Sequence, residues 1–590
     1  MADTFETLVE LLERTVAKHG SADALGTKLE GGGWHWISYT ELLKQVEELR
    51  GGLAALGVGR GDRVGIVADN RVEWAAAAFA TYGLGAVFVP MYQAQPPKEW
   101  AFILRDCEAK VVFGANQQVY DDLKQVAQEV PSLQHVIGLE LPESDADSYR
   151  RLLEVGRKQP AAPAQLSGSD LAALIYTSGT TGSPKGVRLS HGNFCSNVLA
   201  ASQRFDFGPG DRSLAFLPWA HSFGQTAELY TLLWKGCSIA INDAVPNLIT
   251  NLPDVKPTVL VAVPRIFNRI YDGVNKQMQD KPAPIRKLFH AAIRAANEQA
   301  RGGHLGFLDR LSLKLGNKLI FSKVRQKFGG RLRFVVSGSA ALSVQVAEFI
   351  DALGIAVYEG YGLTETSPVV SANYPGHRKL GSVGPAFPGV EIRIDREVTG
   401  DPVHGEIVVS GPNVMQGYHN RPEETAEVLL PDGSFRTGDM GYLDEDGYLF
   451  ITGRIKEQYK LETGKYVVPS PLEEELKLSP FILNVMLYGA NRPHNVALVV
   501  ADVPAIEKWA GERGVVLGKE LLATHPEVKK LIGAELEKYS AAFKNYEKPR
   551  GFKIITEDFT LENDMLTPSL KVKRRNVLAR YEADLQALYD

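Results

Sequence analysis

Tyr176 opens the stretch YTSGTTGSPKGV, in which Thr177, Ser178, Gly179, Thr180, Thr181 and Gly182 precede Lys185. Glycines let backbone N–H groups turn toward one point, the hydroxyls add donors, and a lysine can neutralise charge. Such a nest suits the oxygens of a polyphosphate. The Walker spacing GxxxxGK[ST] is absent, so this is not a P-loop of that kind. A flexible Ser/Gly linker is the ordinary alternative, but an apolar run, Leu171–Tyr176, leads in and Val187–Leu189 leads out as structured chain.

Three further stretches combine charge with turns. YEGYGLTETSP starts at Tyr358, FRTGDMGYLDEDGYLFITGR at Phe435, and MLTPSLKVKRR carries Lys571. Taken alone, a Thr-Glu pair after a glycine turn is a common helix start, and the Asp of TGD could cap a turn. A carboxylate is also a natural bidentate acceptor for a vicinal diol. An aromatic face stacks on a base, and a hard cation takes carboxylate and phosphate oxygens.

The elements that must hold these groups alternate. Val64–Val67, Ala86–Val89, Ala109–Phe113, Leu171–Tyr176, Ser238–Ile241, Thr258–Ala262 and Leu332–Val336 read as strands, with helical patterns between them. That rhythm implies α/β architecture with largely parallel sheets. After about Val383 short strands and glycine turns predict a compact β region. Beyond Arg454–Lys456 a small α+β domain is expected, with strands near Asn484–Tyr488 and Ala497–Val500. With 590 residues, at least two domains are expected.

Residues 176–187 resemble the phosphate-loop signature of the adenylate-forming enzymes: acyl-CoA synthetases, peptide-synthetase adenylation domains and beetle luciferases. The resemblance runs through roughly residues 10–580. It implies a large N-terminal domain, 1–455, with two mainly parallel sheets and a small β-barrel-like region at about 383–455, then a mobile C-terminal domain, 456–590. It places Tyr361 on adenine, Thr364 near the α-phosphate and Glu365 on magnesium, with Thr177 as a second metal contact. Gly338 and Ser339, within SGSAAL, line the adenine and acyl sites beside Gly362. Asp439 takes the ribose hydroxyls and Arg454 the same nucleotide. Lys456 is the hinge, and Lys460 and Gly464 belong to thioester formation, although LETGKYVVP departs from the commoner glycine-rich wording. Lys571 is the catalytic lysine, a fixed cation between two anions that must meet; Lys573, Arg574 and Arg575 are solvated or face the nucleotide.

LPWAHSFGQT, from Leu217, resembles the segment at the carboxylate end of the acyl tunnel, with His221 at the characteristic position and Trp219 as a gate. VPRIFNRIYDGV, from Val263, and the basic insert at 284–330 resemble long-chain fatty acyl-CoA synthetases in particular. The expected activity uses a long-chain fatty acid, ATP, Mg2+ and coenzyme A. The alternatives are an enzyme that stops at the adenylate or loads a carrier protein, luciferase-type chemistry, and a non-catalytic binding protein that should lack Lys571, Glu365 or the loop hydroxyls, all of which are present.

Composition limits the setting. A net charge of −5 gives no reason to expect nucleic-acid binding. Cys107, Cys195 and Cys237 have neither metal spacing nor an even count, which fits inert thiols in a reducing, cytoplasmic compartment. The N-terminal stretch is acidic before any apolar run and predicts an amphipathic surface helix on Phe5, Leu8, Leu12 and Val16 rather than a signal peptide. Trp74–Tyr92 is uncharged, but Gly83, Gly85 and Pro90 split it into a buried helix and a strand rather than a membrane span. The 284–330 insert holds ten basic residues, among them Arg286, Lys287, Arg310, Lys314 and Lys318, against two acids, Glu298 and Asp309. A solvated helical face is its ordinary reading; peripheral contact with an anionic membrane is the sharper one. Self-association as a homodimer is left open.

Overall fold

The apolar run VGIV becomes the buried strand Arg63–Val67 at the centre of a six-stranded sheet. Its order is His135–Gly138, Val111–Gly114, Arg63–Val67, Val87–Met91, Leu171–Thr177 and Lys185–Ser190. All pairs are parallel except the last, an antiparallel hairpin in which Thr177 faces Lys185. The computed structural model describes residues 4–177, 184–398, 401–515, 517, 522–567 and 571–589. The tip of the phosphate-loop hairpin, with Ser178, Gly179, Thr180, Thr181 and Gly182, therefore lies outside the described residues.

Two four-stranded sheets complete the large N-terminal part. One runs Trp34–Ser38, Asp23–Lys28, Ser238–Ile241, Arg212–Ala215; the other runs Val259–Ala262, Phe334–Ser337, Ala356–Gly362, Val369–Ala372. They meet edge to edge, because the Thr258 N–H donates to the Arg212 carbonyl at 2.9 Å. Together they form a second, mainly parallel surface, so the expectation of two such sheets is met. Strand ends move by at most two residues from those read in the sequence, and Ser238–Ile241 does not move. Apolar runs mark which residues are buried, not where ladder hydrogen bonds stop.

The helix read at Trp74–Tyr82 spans Val72–Gly83 and is buried on all sides. No helix among the described residues is long and apolar enough to cross a membrane. The N-terminal helix, Leu8–His19, is capped by Thr7 and buries Leu8, Leu11 and Leu12. Phe5 packs on Trp234 with ring centres 4.4 Å apart, so this element is seated in the core along one face. The three cysteines are free and buried, and burial pushes the Cys107 and Cys237 thiols up to about 12.

From Glu391 to Arg454 four strands form an antiparallel meander in sequence order. The barrel-like expectation becomes an open sheet among the described residues. It curls back because the Val383 N–H donates to Leu449 O at 2.8 Å and Phe387 N–H to Val370 O at 2.9 Å, tying it to the large sheet. A turn, Ile455–Glu457, then leads to a three-stranded sheet of Ile482–Tyr488, Asn495–Ala501 and Pro549–Ile555. That sheet has its own two apolar clusters, one under each face.

Candidate active site

The meander brings a buried acid and a base together at one corner of the cleft. Asp439 and Arg454 face each other across the Phe435–Leu443 and Leu449–Arg454 strands. Asp439, only 4% exposed, forms an ion pair with Arg454 Nε at 3.0 Å and accepts from the Tyr361 hydroxyl at 2.7 Å. Burial pushes the Asp439 carboxyl up, and Arg454 opposes it most strongly. Arg454 is in turn held charged, chiefly by Asp439. Tyr361 is thus fixed by its hydroxyl, leaving its ring as a rigid platform beside a diol acceptor.

Glu365 sits in the short turn Thr364–Thr366, between the strands Ala356–Gly362 and Val369–Ala372. Gly362 is required there, since a Cβ would stand 1.9 Å from Pro368 O. Thr364 meets Ser222 at 3.2 Å, hydroxyl to hydroxyl. The Glu365 carboxylate accepts from the Tyr418 hydroxyl at 2.9 Å, and Lys185 Nζ stands 5.0 Å from the centre of the same ring. Tyr418 comes on a segment docked along the Lys185–Ser190 strand, with Arg188 N–H donating to Gly417 O and His419 N–H to Gly186 O.

Tyr418 is the site residue that the sequence reading missed. It couples the hairpin lysine to the acidic turn, yet QGYHN has no spacing that announces it. Changing Tyr418 to Phe keeps the ring under Lys185 and removes the donor that orients Glu365. A hydrogen bond to a charged group contributes about 1.5–3 kcal/mol, so adenylation at limiting magnesium should fall at least about tenfold. Titrating magnesium against the rate of pyrophosphate release checks it; an unchanged half-saturation would assign Tyr418 to structure alone.

No group of three or more His, Cys, Asp and Glu side chains is placed to hold a metal among the described residues. With Tyr418 engaging one oxygen of Glu365, the site fits an ion that takes a single protein carboxylate and completes its shell with phosphate oxygens and water. Mg2+ binds in this way. Thr177 ends its strand opposite Lys185, beside the hairpin tip.

Behind this corner lies an apolar cavity of about 670 Å³, including space open to solvent, lined by Phe205, Phe223, Val336 and Ala372 with His221, Gly338, Ser339 and Tyr361. Gly338 brings the backbone against Phe223, whose ring a Cβ would meet at 3.0 Å. His221 Nδ1 accepts the Phe223 N–H at 3.2 Å, which leaves the proton on Nε2. Burial, then the charge of Lys571, pushes His221 down to about 4, so it is neutral at ordinary pH.

Lys571 thus reaches the cleft from the C-terminal part. Its proton is loosened by burial first and then by Arg454, while Asp439 and Glu365 hold it on. The residue is solvent-exposed as a whole, while its ammonium lies within electrostatic reach of all three. Two hydrogen bonds hold its backbone: Lys571 N–H donates to Thr567 Oγ1 at 3.0 Å, and Thr567 N–H to Lys571 O at 2.8 Å.

Other expectations change. Trp219, read as a gate, is fully buried here, against Trp74 at 5.7 Å between ring centres, and is not among the residues lining the cavity. Its backbone N–H donates to Asn70 Oδ1 at 2.7 Å. Arg574 neither is solvated nor faces nucleotide; it pairs with the buried Glu473 inside the C-terminal part. Lys573 pairs with Asp564 at 2.6 Å. Lys456 is exposed in the connecting turn. Lys460 is exposed over the Tyr466 ring, and Gly464 closes the adjoining turn at φ 84°; neither joins the cleft's residues in this arrangement.

The buried Asp439, the Tyr361 ring, Glu365 and the C-terminal Lys571 thus come into one cleft, and Tyr361 and His221 also line the apolar cavity. The chain belongs to the AMP-binding enzyme family, whose model matches residues 12–419. It is similar to the long-chain-fatty-acid–CoA ligase FadD15 of Mycobacterium bovis, at 34% identity over 95% of this chain and 94% of that one. It is also similar to long chain acyl-CoA synthetase 7, peroxisomal, of Arabidopsis thaliana, at 31% identity over 99% and 86%. Among solved structures, the adenylation domain of a carboxylate reductase from Mycobacterium chelonae superposes with a TM-score of 0.80 at 25% identity, covering 99% of this chain and 91% of that one. ATP-bound MatB from Rhodopseudomonas palustris superposes at 0.72 with 26% identity, covering 98% and 99%.

Proposed function

We propose that this chain is a long-chain fatty acid–CoA ligase that converts a fatty acid, ATP and coenzyme A to acyl-CoA, AMP and pyrophosphate through an acyl-adenylate. The observation that carries this reading is the convergence of Lys571 with Asp439, Arg454, Glu365 and His221 at the mouth of an apolar cavity. The cavity takes the acyl chain, and His221, neutral and protonated on Nε2, donates to the carboxylate without neutralising it. Asp439 and Tyr361 hold the nucleoside, with Arg454 beside them. Thr177 and Lys185 flank the hairpin that takes the β- and γ-phosphates, and Thr364 lies near the α-phosphate. Mg2+ bound at Glu365 neutralises phosphate charge. Lys571 draws the carboxylate oxygen onto the α-phosphorus; that P–O bond forms and the bond to pyrophosphate breaks. Catalysis is positioning and charge stabilisation.

The second half needs a different face of the C-terminal domain. Residues 456–590 rotate on Lys456 relative to 1–455, with its β-rich subregion at 383–455, withdrawing Lys571 and bringing Lys460 toward the acyl-adenylate. The coenzyme A thiol then attacks the acyl carbon and AMP leaves.

The test is incubation with palmitate, ATP and magnesium, with and without coenzyme A, following AMP, pyrophosphate and thioester. Sustained thioester formation that depends on coenzyme A is expected. Pyrophosphate release without thioester would replace the reading by an adenylate-only or carrier-loading enzyme. No turnover with acids of any length would reject it.

A further inference from the structure

The basic insert folds as the helix Ala283–Ala300 followed by Phe307–Gly316, which runs on through a π turn, Asn317–Phe321. Its inner side is settled by close packing: Gly316 is buried so near Ala292 that a Cβ there would stand 2.3 Å away, and Ile320 and Phe321 join the core. Its outer side is apolar. Phe307 is 81% exposed and Leu308 74%, and Leu311, Leu315 and Leu319 are also exposed. At helical spacing these five share one stripe, opposite Gly316 and Ile320. No described element covers it.

Charge decides what does. Arg310, Lys314 and Lys318 border the same stripe, and none has a carboxylate within ion-pair distance among the described residues; the Arg310 Nε donates only to the Leu305 carbonyl at 3.1 Å. Asp309, the single acid of this helix, is exposed on the side of the wheel away from the stripe, beside Gly306. The whole chain has 65 basic and 70 acidic side chains, so an excess of ten to two within 284–330 is local. A protein partner of this chain's own acidic balance would meet the cations but not a stripe of five large apolar side chains without its own exposed counterpart. A bilayer with anionic headgroups matches both features at once: acyl chains take the apolar stripe while phosphates take the adjoining cations.

We infer that the Phe307–Phe321 face docks the enzyme on an anionic phospholipid membrane, lying in the interface without crossing it. The docking stands on the exposed face itself. It gains its purpose from the proposed function, because a long-chain fatty acid partitions into a bilayer and is collected there.

The test uses the full chain and vesicles of phosphatidylcholine with and without phosphatidylglycerol, read by co-sedimentation. Wild type should bind the anionic vesicles, and added salt should weaken that binding. The triple variant Phe307→Ala, Leu308→Ala, Leu311→Ala should lose at least about tenfold in partitioning, since each removes apolar area that only the membrane buries. The pair Lys314→Glu, Lys318→Glu should lose a similar factor on anionic vesicles and little on neutral ones. All five side chains are exposed, so thermal melting should be unchanged. Absence of wild-type binding, or equal binding by the variants, overturns the inference. So does a wild-type dimer that the triple variant dissociates without any vesicle binding, which would assign the stripe to a second copy. Thioester formation from freely dissolved acids without vesicles should be the same in all variants; its absence in every protein with acids of every length would reject the proposed activity while the vesicle result still judges the docking face.

Discussion

Replacing Lys571 with alanine should reduce acyl-adenylate formation at least about a hundredfold, the scale of losing one preorganised charge donor. Two anions, the fatty carboxylate and the α-phosphate, must come together, and the other cations placed near them are Arg454 and Lys185. Arg454 is already committed to Asp439 at 3.0 Å, and Lys185 stands over the Tyr418 ring. Neither is free to take the place of a lysine supplied by the C-terminal part. Pyrophosphate release from palmitate and ATP measures this half. The other half is measured separately by adding prepared palmitoyl-adenylate and coenzyme A. If the C-terminal domain withdraws Lys571 before thioester formation, that rate should stay within about threefold of wild type, because a residue absent from the transition state costs it nothing. Equal loss in both halves would reject the rotation; no loss in either would remove Lys571 from catalysis.

Contiguous chemistry was legible in the sequence, and distant contact was not. Asp439 and Arg454 lie in one stretch that folds back on itself, so their pairing follows from a hairpin. Thr177 and Lys185 likewise face each other because an apolar strand enters and leaves the same loop. Tyr418 reaches Glu365 across 53 residues of chain, and a lone tyrosine in a loop carries no period or spacing. Trp219 shows the reverse error. It stands two residues from His221, yet His221 turns to the cavity while Trp219 turns into the core against Trp74. Residue type cannot separate a gate from a core ring when both are aromatic. Arg574 was misjudged for a related reason: its partner Glu473 is a hundred residues earlier and becomes visible only once the C-terminal sheet brings them together. The insert's composition gave its charge, but only the packing of Gly316 on Ala292 decides which stripe of the helix faces out.

Asp439→Asn should raise the ATP concentration for half-maximal rate at least about tenfold, because the charged acceptor proposed for the ribose hydroxyls is lost and hydrogen bonds to a charged group contribute about 1.5–3 kcal/mol. Asparagine keeps the size of the side chain and can still accept from Tyr361, so the fold is retained while Arg454 loses its counter-charge. A second consequence follows for Lys571. Its proton is already loosened by burial and by Arg454, and Asp439 is the first of the groups that hold it on. Removing that carboxylate lowers the Lys571 pKa further. The protonated lysine is the active form, so activity falls as pH rises through its pKa, and in the variant this alkaline fall must begin at lower pH than in wild type. Profiles of pyrophosphate release against pH, taken as kcat/KM for ATP, report the free enzyme. A Tyr361→Phe variant serves as the control: it takes a hydrogen bond from Asp439 without removing its charge, so the limb should stay nearly in place. An Asp439→Asn profile that loses height but keeps its alkaline limb would mean that Asp439 binds nucleotide without holding the proton on Lys571. Loss of height together with a downward shift of the limb would show the ribose acceptor and the catalytic cation to be coupled through one buried charge.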